Sequence, residues 1–506
     1  MTIKERPYIF YELTNSLCSL CLKKVEAKII FEDECVYLLK NCLDHGLERV
    51  LISVDIPYYK RARNFLKKPQ SPLRFNTSTV HGCPYDCGLC PDHEQHSCLT
   101  LVEIAERCNL SCPICYADSS PTKGGFRSLA EIEFLLDELV KNEGEPDVVQ
   151  LSGGEPTIHP QFFEIMDAAK KRPIRHLMVN TNGVRIAKDR DFVERLAKYK
   201  DGFEVYLQFD SLKANPIEVL RGEDLTAVRR AALAHLNEFD ISTTLVVTLM
   251  KGLNNQEVGE IIEFALKEPC VRGVTFQPIQ AAGRLEAYDG KFDTDNNRER
   301  VQDSKVDTDK NRERVHDGTV RRSNGHFNSA TDRLTLSEVR KNILAQSTVF
   351  SEADILPVPC HPDCIAMAYA LKIDGKVIPL SGLINPEVLL EGRNTIQYER
   401  DPVLKGKLFE LFSLNQAEKG TSHAVGDLLC CLPKLQMPGE LSYRNIFRII
   451  IIEFLDRYNF DVRSVKRSCV HIMHPDGRVI PFDTYNMFYR ENLDVASIAR
   501  HGVEVS

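Results

Sequence analysis

The stretch Cys108-Asn109-Leu110-Ser111-Cys112-Pro113-Ile114-Cys115 sets three thiols at C-x3-C-x2-C spacing, directly after the apolar, strand-like run Leu99 to Ile104. Iron–sulfur clusters are ordinarily held by four thiolates. Three on one short loop therefore point to a [4Fe–4S] cluster whose remaining iron is open to a small-molecule ligand. A zinc knuckle and three unconnected reduced thiols are the competing readings. Structural zinc usually pairs two close cysteines with two distant ligands, which suits three on one tight loop less well.

Downstream, Asp147-Val-Val-Gln-Leu-Ser-Gly153-Gly154-Glu155-Pro156 is a short apolar strand running into a Gly-Gly-Glu turn. In order after the three-thiol loop, it resembles the radical S-adenosylmethionine (radical SAM) superfamily, whose first strand ends in the cluster loop and whose second ends in this turn. The resemblance implies that Gly153, Gly154 and Glu155 contact the methionine amino group of SAM. The family's loop usually has an aromatic residue just before its last cysteine. This chain has Ile114 there, with Tyr116 following.

Length and composition set the frame. At 506 residues the chain is too long for one compact core and suggests two to four domains. With 72 Asp+Glu against 64 Lys+Arg and a pI near 6.0, a nucleic-acid surface is not expected as the main partner. Seventeen cysteines are many. The N-terminus Met-Thr-Ile-Lys-Glu-Arg lacks the regions of a signal peptide, so the thiols are expected in a reducing compartment, as metal ligands rather than disulfides. The most apolar run, Ile446 to Leu455, is broken by Arg448 and Glu453 and is far shorter than the roughly 20 residues of a membrane span. A cytoplasmic protein with no transmembrane segment is the expectation.

Residues 1–72 read as a zinc-ribbon or rubredoxin-like metal module. Cys18-Ser-Leu-Cys21 faces Cys42-Leu-Asp-His45 across two short strands, Ala27 to Phe31 and Val36 to Leu39. This is the arithmetic of a mononuclear iron or zinc site with Cys18, Cys21 and Cys42 as ligands and His45 or a later cysteine as the fourth. Cys35, between the knuckles, reads as a buried thiol. In residues 73–98, Cys83-Pro-Tyr-Asp-Cys87-Gly-Leu-Cys90 repeats the C-x3-C-x2-C spacing, followed by His93, His96 and Cys98. A closed auxiliary [4Fe–4S] cluster on Cys83, Cys87, Cys90 and Cys98 is the preferred reading, and a second structural zinc the alternative. Only Cys108, Cys112 and Cys115 follow a strand and precede the Gly-Gly-Glu strand, so only they are assigned to SAM.

From 99 to 288 strand-like runs alternate with amphipathic helices. The strands are Leu99 to Ile104, Val148 to Ser152, His176 to Asn180, Glu204 to Phe209, Thr243 to Leu249 and Gly273 to Gln277. The helices include Leu129 to Lys141, opened by a Ser128-x-x-Glu131 capping box, and Leu225 to Leu236. The alternation predicts an α/β fold with a mostly parallel sheet, and six units fit the partial (β/α)6 barrel of radical SAM enzymes. Ligands of such barrels sit at the carboxyl ends of the strands. By resemblance Asn182, Gln208 and Asp210 could line the SAM or substrate cavity; each taken singly could equally be a turn or cap residue.

Residues 289–326 carry a repeat of period fourteen, beginning at Asp293 and again at Asp307. Two polar copies cannot build a solenoid core, and a disordered insertion is expected. Residues 327–506 read as a C-terminal α+β, cysteine-containing domain, with a Thr335-x-x-Glu338 capping box and hairpins around Asp374-Gly375 and His474-Pro-Asp-Gly. Cys360-His-Pro-Asp-Cys364, Cys430-Cys431 and Cys469 suggest a further metal site, with Cys360, Cys364 and Cys469 as candidate ligands and buried structural thiols as the alternative.

The order of these motifs, with Ile480-Pro-Phe-Asp-Thr-Tyr-Asn486, resembles the radical SAM family of archaeal tetraether lipid synthase and the dihydro-hydroxymethylpterin methyltransferase-like proteins. Archaeal members have cysteines where this chain has Ser468 and Asp483. The resemblance implies that SAM chelates the open iron and is reductively cleaved to methionine and a 5′-deoxyadenosyl radical. That radical abstracts hydrogen from an unactivated carbon of a lipid- or pterin-like substrate, leading to C–C coupling or methylation, with a flavodoxin or ferredoxin as electron donor. No catalytic residue beyond the cofactor ligands is assigned. An iron–sulfur electron-transfer protein would not need the Gly-Gly-Glu turn. A multi-zinc binding module would not need the barrel-like alternation.

Overall fold

The structure is a computed structural model that describes residues 6–285, 315–316, 333–373, 376–382 and 445–502. Cys430, Cys431 and the repeat, apart from Val315 and His316, lie outside the described residues.

The N-terminal part is an antiparallel meander, β1 (Ile9–Leu17), β2 (Lys24–Glu32), β3 (Cys35–Cys42) and β4 (Gly46–Ser53). Its two turns between β1 and β2 and between β3 and β4 carry the two knuckles. Ala27, Ile29, Phe31, Val36 and Leu38 form a small core, closed by Tyr59 of helix α1 (Ile56–Asn64). Asp55 caps that helix by accepting the Tyr58 N–H at 2.9 Å.

The next part alternates as expected. β5 (Leu99–Ala105) is followed by the short β6 (Ile114–Cys115), α2 (Leu129–Glu143), β7 (Val148–Gly153), α3 (Phe162–Lys170), β8 (His176–Thr181), α4 (Val184–Lys188), α5 (Arg190–Leu196) and β9 (Phe203–Gln208). Then come α6 (Ala214–Arg221), α7 (Thr226–Glu238), β10 (Thr243–Leu249), α8 (Val258–Lys267), β11 (Val271–Pro278) and β12 (Arg284–Leu285). Strands β5, β7, β8, β9, β10 and β11 pair in parallel in that order, one beside the next. Because strand side chains alternate, Val149 and Leu151 of β7 pack under the helices while Val148 faces the barrel interior. The Ser128 capping box is formed at the start of α2, and a second by Thr335 and Glu338 at the start of α9 (Leu336–Gln346).

The C-terminal α+β part joins the same sheet at both edges. After the two-residue β13 (Val315–His316) beside β4, and β14 (Leu356–Pro357), strand β15 (Ile365–Ile373) pairs with β16 (Lys376–Pro379) as a hairpin. β15 also pairs with β17 (Ile446–Ile452), which lies parallel to β11. β18 (Val470–Met473) lies parallel to β5 and turns back into β19 (Val479–Pro481). Arg448 of β17 explains why a charge interrupts the most apolar run of the chain: it points inward and pairs with the buried Glu204 of β9 at 2.6 Å, next to His176 and Thr244. Burial disfavours the Glu204 carboxylate, but Arg448 and His176 outweigh it and hold its pKa well below the usual range. Removing one partner of such a pair costs about 3–5 kcal/mol. No helix among the described residues is long and apolar enough to cross a membrane.

Candidate active site and metal centres

The three thiols of the Cys108 loop line one wall of a cavity at the carboxyl ends of the barrel strands, together with Gly153, Gly154, Glu155, Asn182 and Gln208. Cys108 and Cys112 are buried and Cys115 is half-buried, and none is in a disulfide. The loop's own Leu110 N–H points at the Cys108 sulfur at 3.4 Å. On its far side it is clamped by Arg284, which donates to the Cys112 and Ser119 carbonyls at 2.7 and 2.6 Å, where β12 pairs with β6. Three free thiols converging on an open cavity fit a [4Fe–4S] cluster with one ligand position left to SAM.

Both glycines of the turn are demanded by this loop. Gly153 has φ +122°, and a Cβ there would collide with the Ala105 carbonyl; a Cβ on Gly154 would collide with that of Arg107. The turn is hydrogen-bonded to the same chain, Gly154 N–H to Ala105 O at 2.6 Å and Glu155 N–H to Arg107 O at 3.0 Å. Glu155 is fully buried and accepts from Thr157 N and Oγ1 (3.0 and 2.5 Å), Thr181 Oγ1 (2.7 Å) and Asn182 N (2.8 Å). Burial still raises its pKa against these bonds. Asn182 donates to Asn109 Oδ1 at 2.7 Å and accepts from Val184 N at 3.0 Å, tying the cysteine loop to the end of β8.

Asp210 stands behind Gln208. It is buried with φ +69° and binds Arg221 through both oxygens, at 2.6 and 2.7 Å, and the Gln208 Nε2 at 2.8 Å. Burial opposes its charge, yet Arg221 and Arg229 keep its pKa below the ordinary value. Arg221, which motif reasoning did not single out, is thereby held beside Cys112. The other side of the cavity comes from distant sequence: Ile452, Phe454, Val470 and Phe482. Phe482 packs between Phe454, ring centroids 4.0 Å apart, and Tyr116 at 5.2 Å. Phe482 lies in the C-terminal motif noted above, but nothing local in the sequence reveals that it closes this cavity.

In the N-terminal ribbon Cys18, Cys21, Cys42 and His45 converge within 4.8 Å of one another. Cys21 and Cys42 sulfurs are 3.9 Å apart, and His45 Nδ1 is 3.5 Å from both Cys18 and Cys42. A tetrahedral ion with Zn–S near 2.3 Å sets its sulfurs about 3.8 Å apart. The four side chains fit one mononuclear ion.

The expected auxiliary set is divided. Cys83, Cys87 and Cys90 stay together; burial, then the neighbouring Cys83 and Cys90, raises the Cys87 thiol well above its usual pKa. Asp86 gathers the preceding backbone by accepting from Val80, His81 and Gly82 N–H groups, and Tyr489 Oη accepts from Cys87 N at 3.0 Å. Cys98 is elsewhere: its sulfur groups with those of Cys360 and Cys469, the latter two 3.4 Å apart. The cause is strand pairing. Cys98 immediately precedes β5 and Cys469 immediately precedes β18, and the Cys469 carbonyl accepts the N–H groups of Cys98 and Leu99 at 2.9 and 3.0 Å. Cys98 also groups with His96 and Asp147, whose ligand atoms lie within 4.8 Å of its sulfur. Cys364 does not join Cys360 and Cys469; its thiol lies among Asp483, Asp363 and Glu453. Ser468 sits in the backbone of this region, its carbonyl 2.9 Å from His93 Nε2, and Asp483 accepts from Leu455 N at 2.6 Å.

Comparison with known proteins agrees with this geometry. The family model of the radical SAM superfamily matches residues 102–265, and that of the HMPTM N-terminal zinc ribbon domain matches residues 10–54. The chain is 29% identical over 507 aligned residues to 7,8-dihydro-6-hydroxymethylpterin dimethyltransferase of Methanocaldococcus jannaschii, covering 95% of this chain and 94% of that protein. It is 29% identical over 173 residues to GTP 3′,8-cyclase of Shewanella denitrificans, covering 33% of this chain and 49% of the cyclase. Among solved structures, SuiB of Streptococcus suis bound to S-adenosylmethionine aligns over 36% of this chain and 40% of its own, with 18% identity and a TM-score of 0.32. With its cluster-loop thiols and Gly-Gly-Glu turn on adjoining parallel strands and a ribbon ahead of them, the chain is an enzyme that carries a radical SAM domain over residues 102–265.

Proposed function

We propose that this enzyme generates a 5′-deoxyadenosyl radical that takes a hydrogen atom from an unactivated carbon of a small molecule, and that the outcome is methylation of a pterin-like ring compound. The observation that carries the reading is the likeness to the M. jannaschii dimethyltransferase. It spans 95% of this chain, so it includes the C-terminal residues that close the cavity as well as the SAM-binding core. Carbon–carbon coupling of a lipid-like substrate is the second reading, favoured by the apolar wall of Ile452, Phe454, Val470 and Phe482.

Cys108, Cys112 and Cys115 hold the cluster, and when bound, cluster and SAM together supply the radical. The Gly153-Gly154 turn borders the SAM position, Glu155 and Asn182 keep turn and loop in register, and Gln208 lines the cavity in front of Asp210. Arg221, paired with Asp210, stands next to Cys112. Around them the barrel excludes water from the reacting carbon. Cys18, Cys21, Cys42 and His45 hold one zinc or iron ion, Cys83, Cys87 and Cys90 an auxiliary [4Fe–4S] cluster, and Cys98, Cys360 and Cys469 a further metal. A flavodoxin- or ferredoxin-type protein delivers the electron.

The test is anaerobic reconstitution with iron and sulfide, then SAM, reductant and 7,8-dihydro-6-hydroxymethylpterin, with products read by mass spectrometry. 5′-Deoxyadenosine together with a methylated pterin is expected, and methyl-labelled SAM identifies the methyl source. 5′-Deoxyadenosine with an unchanged pterin would overturn the substrate reading.

A further inference from the structure

The floor of the cavity contains a polar group that the protein itself does not use. Gln150 of β7 is only 3% exposed and lines the cavity, and its Oε1 has no hydrogen-bond partner among the described residues. Its neighbours in register are apolar, Leu101 on β5 and Met178 on β8. A buried amide oxygen without a partner is unfavourable and uncommon. A leucine would fill the same layer of the barrel without that penalty, so packing does not account for the glutamine.

Two more amides stand at the same cavity. Gln208 Nε2 donates to Asp210 at 2.8 Å and to Thr248 at 3.2 Å, and Gln277 Nε2 donates to Tyr206 Oη at 3.1 Å. The protein thus engages both amide hydrogens of Gln208 and one of Gln277, and the carbonyl ends of both remain for a ligand. The charged groups of the lining are already satisfied: Arg221 is neutralised by Asp210, and Glu155 accepts four hydrogen bonds. Phe454, Phe482 and Tyr116 offer flat apolar surface beside them.

We infer that Gln150 is the specificity-determining residue of the substrate site. It accepts a hydrogen bond from the exocyclic amino group on the edge of a neutral, planar nitrogen heterocycle that carries several donors and no phosphate, with Gln208 and Gln277 as further acceptors. This rests on the pterin-type reading of the site and adds which residue recognises which edge. A site built around a hydrogen bond rejects analogues lacking the donor far more strongly than an apolar site discriminates by shape.

The experiment is a binding titration of the reconstituted full chain with SAM present, monitored by heterocycle fluorescence. The probes are 6-hydroxymethylpterin, guanine and the 2-deamino pterin. The proteins are the wild type, Gln150→Met, which keeps length without the amide, and Gln150→Leu. Iron and sulfide contents are matched beforehand, so that either variant suffices if the other does not fold. At least one amino-bearing heterocycle is expected to bind the wild type and to lose about tenfold or more in affinity in the variants, while the deamino analogue binds wild type and variants alike. Equal binding of the amino-bearing probes to wild type and variants overturns the assignment. So does the failure of every amino-bearing heterocycle to bind the wild type. If a heterocycle binds through Gln150 but is not methylated, the recognition stands and the methylation reading alone falls.

Discussion

Two loops of this chain share the spacing C-x3-C-x2-C, and they are built for different work. The Cys108 loop leaves a parallel strand, faces a cavity and lies against the Gly153-Gly154 turn, whose missing side chains let two backbones touch. The Cys83 loop follows no strand of the barrel sheet. It is lashed to the ribbon through Tyr85, whose Oη donates to Leu22 O and accepts from Lys24 N, and to the C-terminal part through Tyr489. Spacing fixes how many thiolates can reach one cluster. What surrounds the loop decides whether a substrate can reach it too.

The sharpest way to break this comparison is to remove one thiol from each loop. Cys112→Ala is expected to reduce 5′-deoxyadenosine formation to background while the ribbon retains its ion by elemental analysis. Cys87→Ala is expected to keep measurable SAM cleavage with less iron per chain. Retained cleavage in Cys112→Ala would exchange the roles of the loops.

Glycines next to the two loops differ in the same way. Gly154→Ala drives a Cβ into the Arg107 carbonyl, and overpacking of this kind costs about 1–3 kcal/mol. A lower melting temperature and loss of iron from the SAM cluster are expected. Gly82, before the Cys83 loop, has a positive φ, +78°, and a Cβ there meets nothing within 4 Å. Gly82→Ala is expected to cost only the left-handed backbone penalty, about 1–2 kcal/mol, with iron content unchanged. Equal iron loss in the two variants would show that the close contact at Gly154 is not what holds the loop.

The smallest effect concerns Asp483, beside the Cys364 thiol, whose pKa burial pushes up to about 7. In the unfolded chain an aspartate ionises near 3.9. Between these values the folded state binds the extra proton, so this group's contribution to stability is lost as pH rises from about 4 to about 7. Asp483→Asn keeps an acceptor for Leu455 N and is expected to raise the melting temperature by a few degrees at pH 8 and not at pH 4. An equal effect at both pH values would remove titration as the cause.

The local parts of this architecture were legible in the sequence. The six consecutive parallel strands β5 and β7 to β11 and both capping boxes followed from apolar alternation and short-range spacing, because strands and helix starts are written in neighbouring residues. The convergence of Cys18, Cys21, Cys42 and His45 followed because two knuckles sit on adjoining turns. Pairings across hundreds of residues were not legible. Nothing near Cys98 announces that β18 will lie beside β5, so its grouping with Cys360 and Cys469 escaped the reading. Arg448 looked like an interruption of an apolar strand until its pairing with Glu204 inside the barrel explained it. Gln150 was hidden in the same way. Its signal is a polar residue at an inward-facing position of an otherwise apolar strand.

The most direct test of the central claim is electron paramagnetic resonance of the dithionite-reduced, reconstituted protein with and without SAM, in the wild type, Cys87→Ala and Cys112→Ala. If the Cys108 loop alone binds SAM, one cluster signal shifts on SAM addition in the wild type and in Cys87→Ala, and no signal responds in Cys112→Ala. A SAM-responsive signal in Cys112→Ala that disappears in Cys87→Ala would contradict the account.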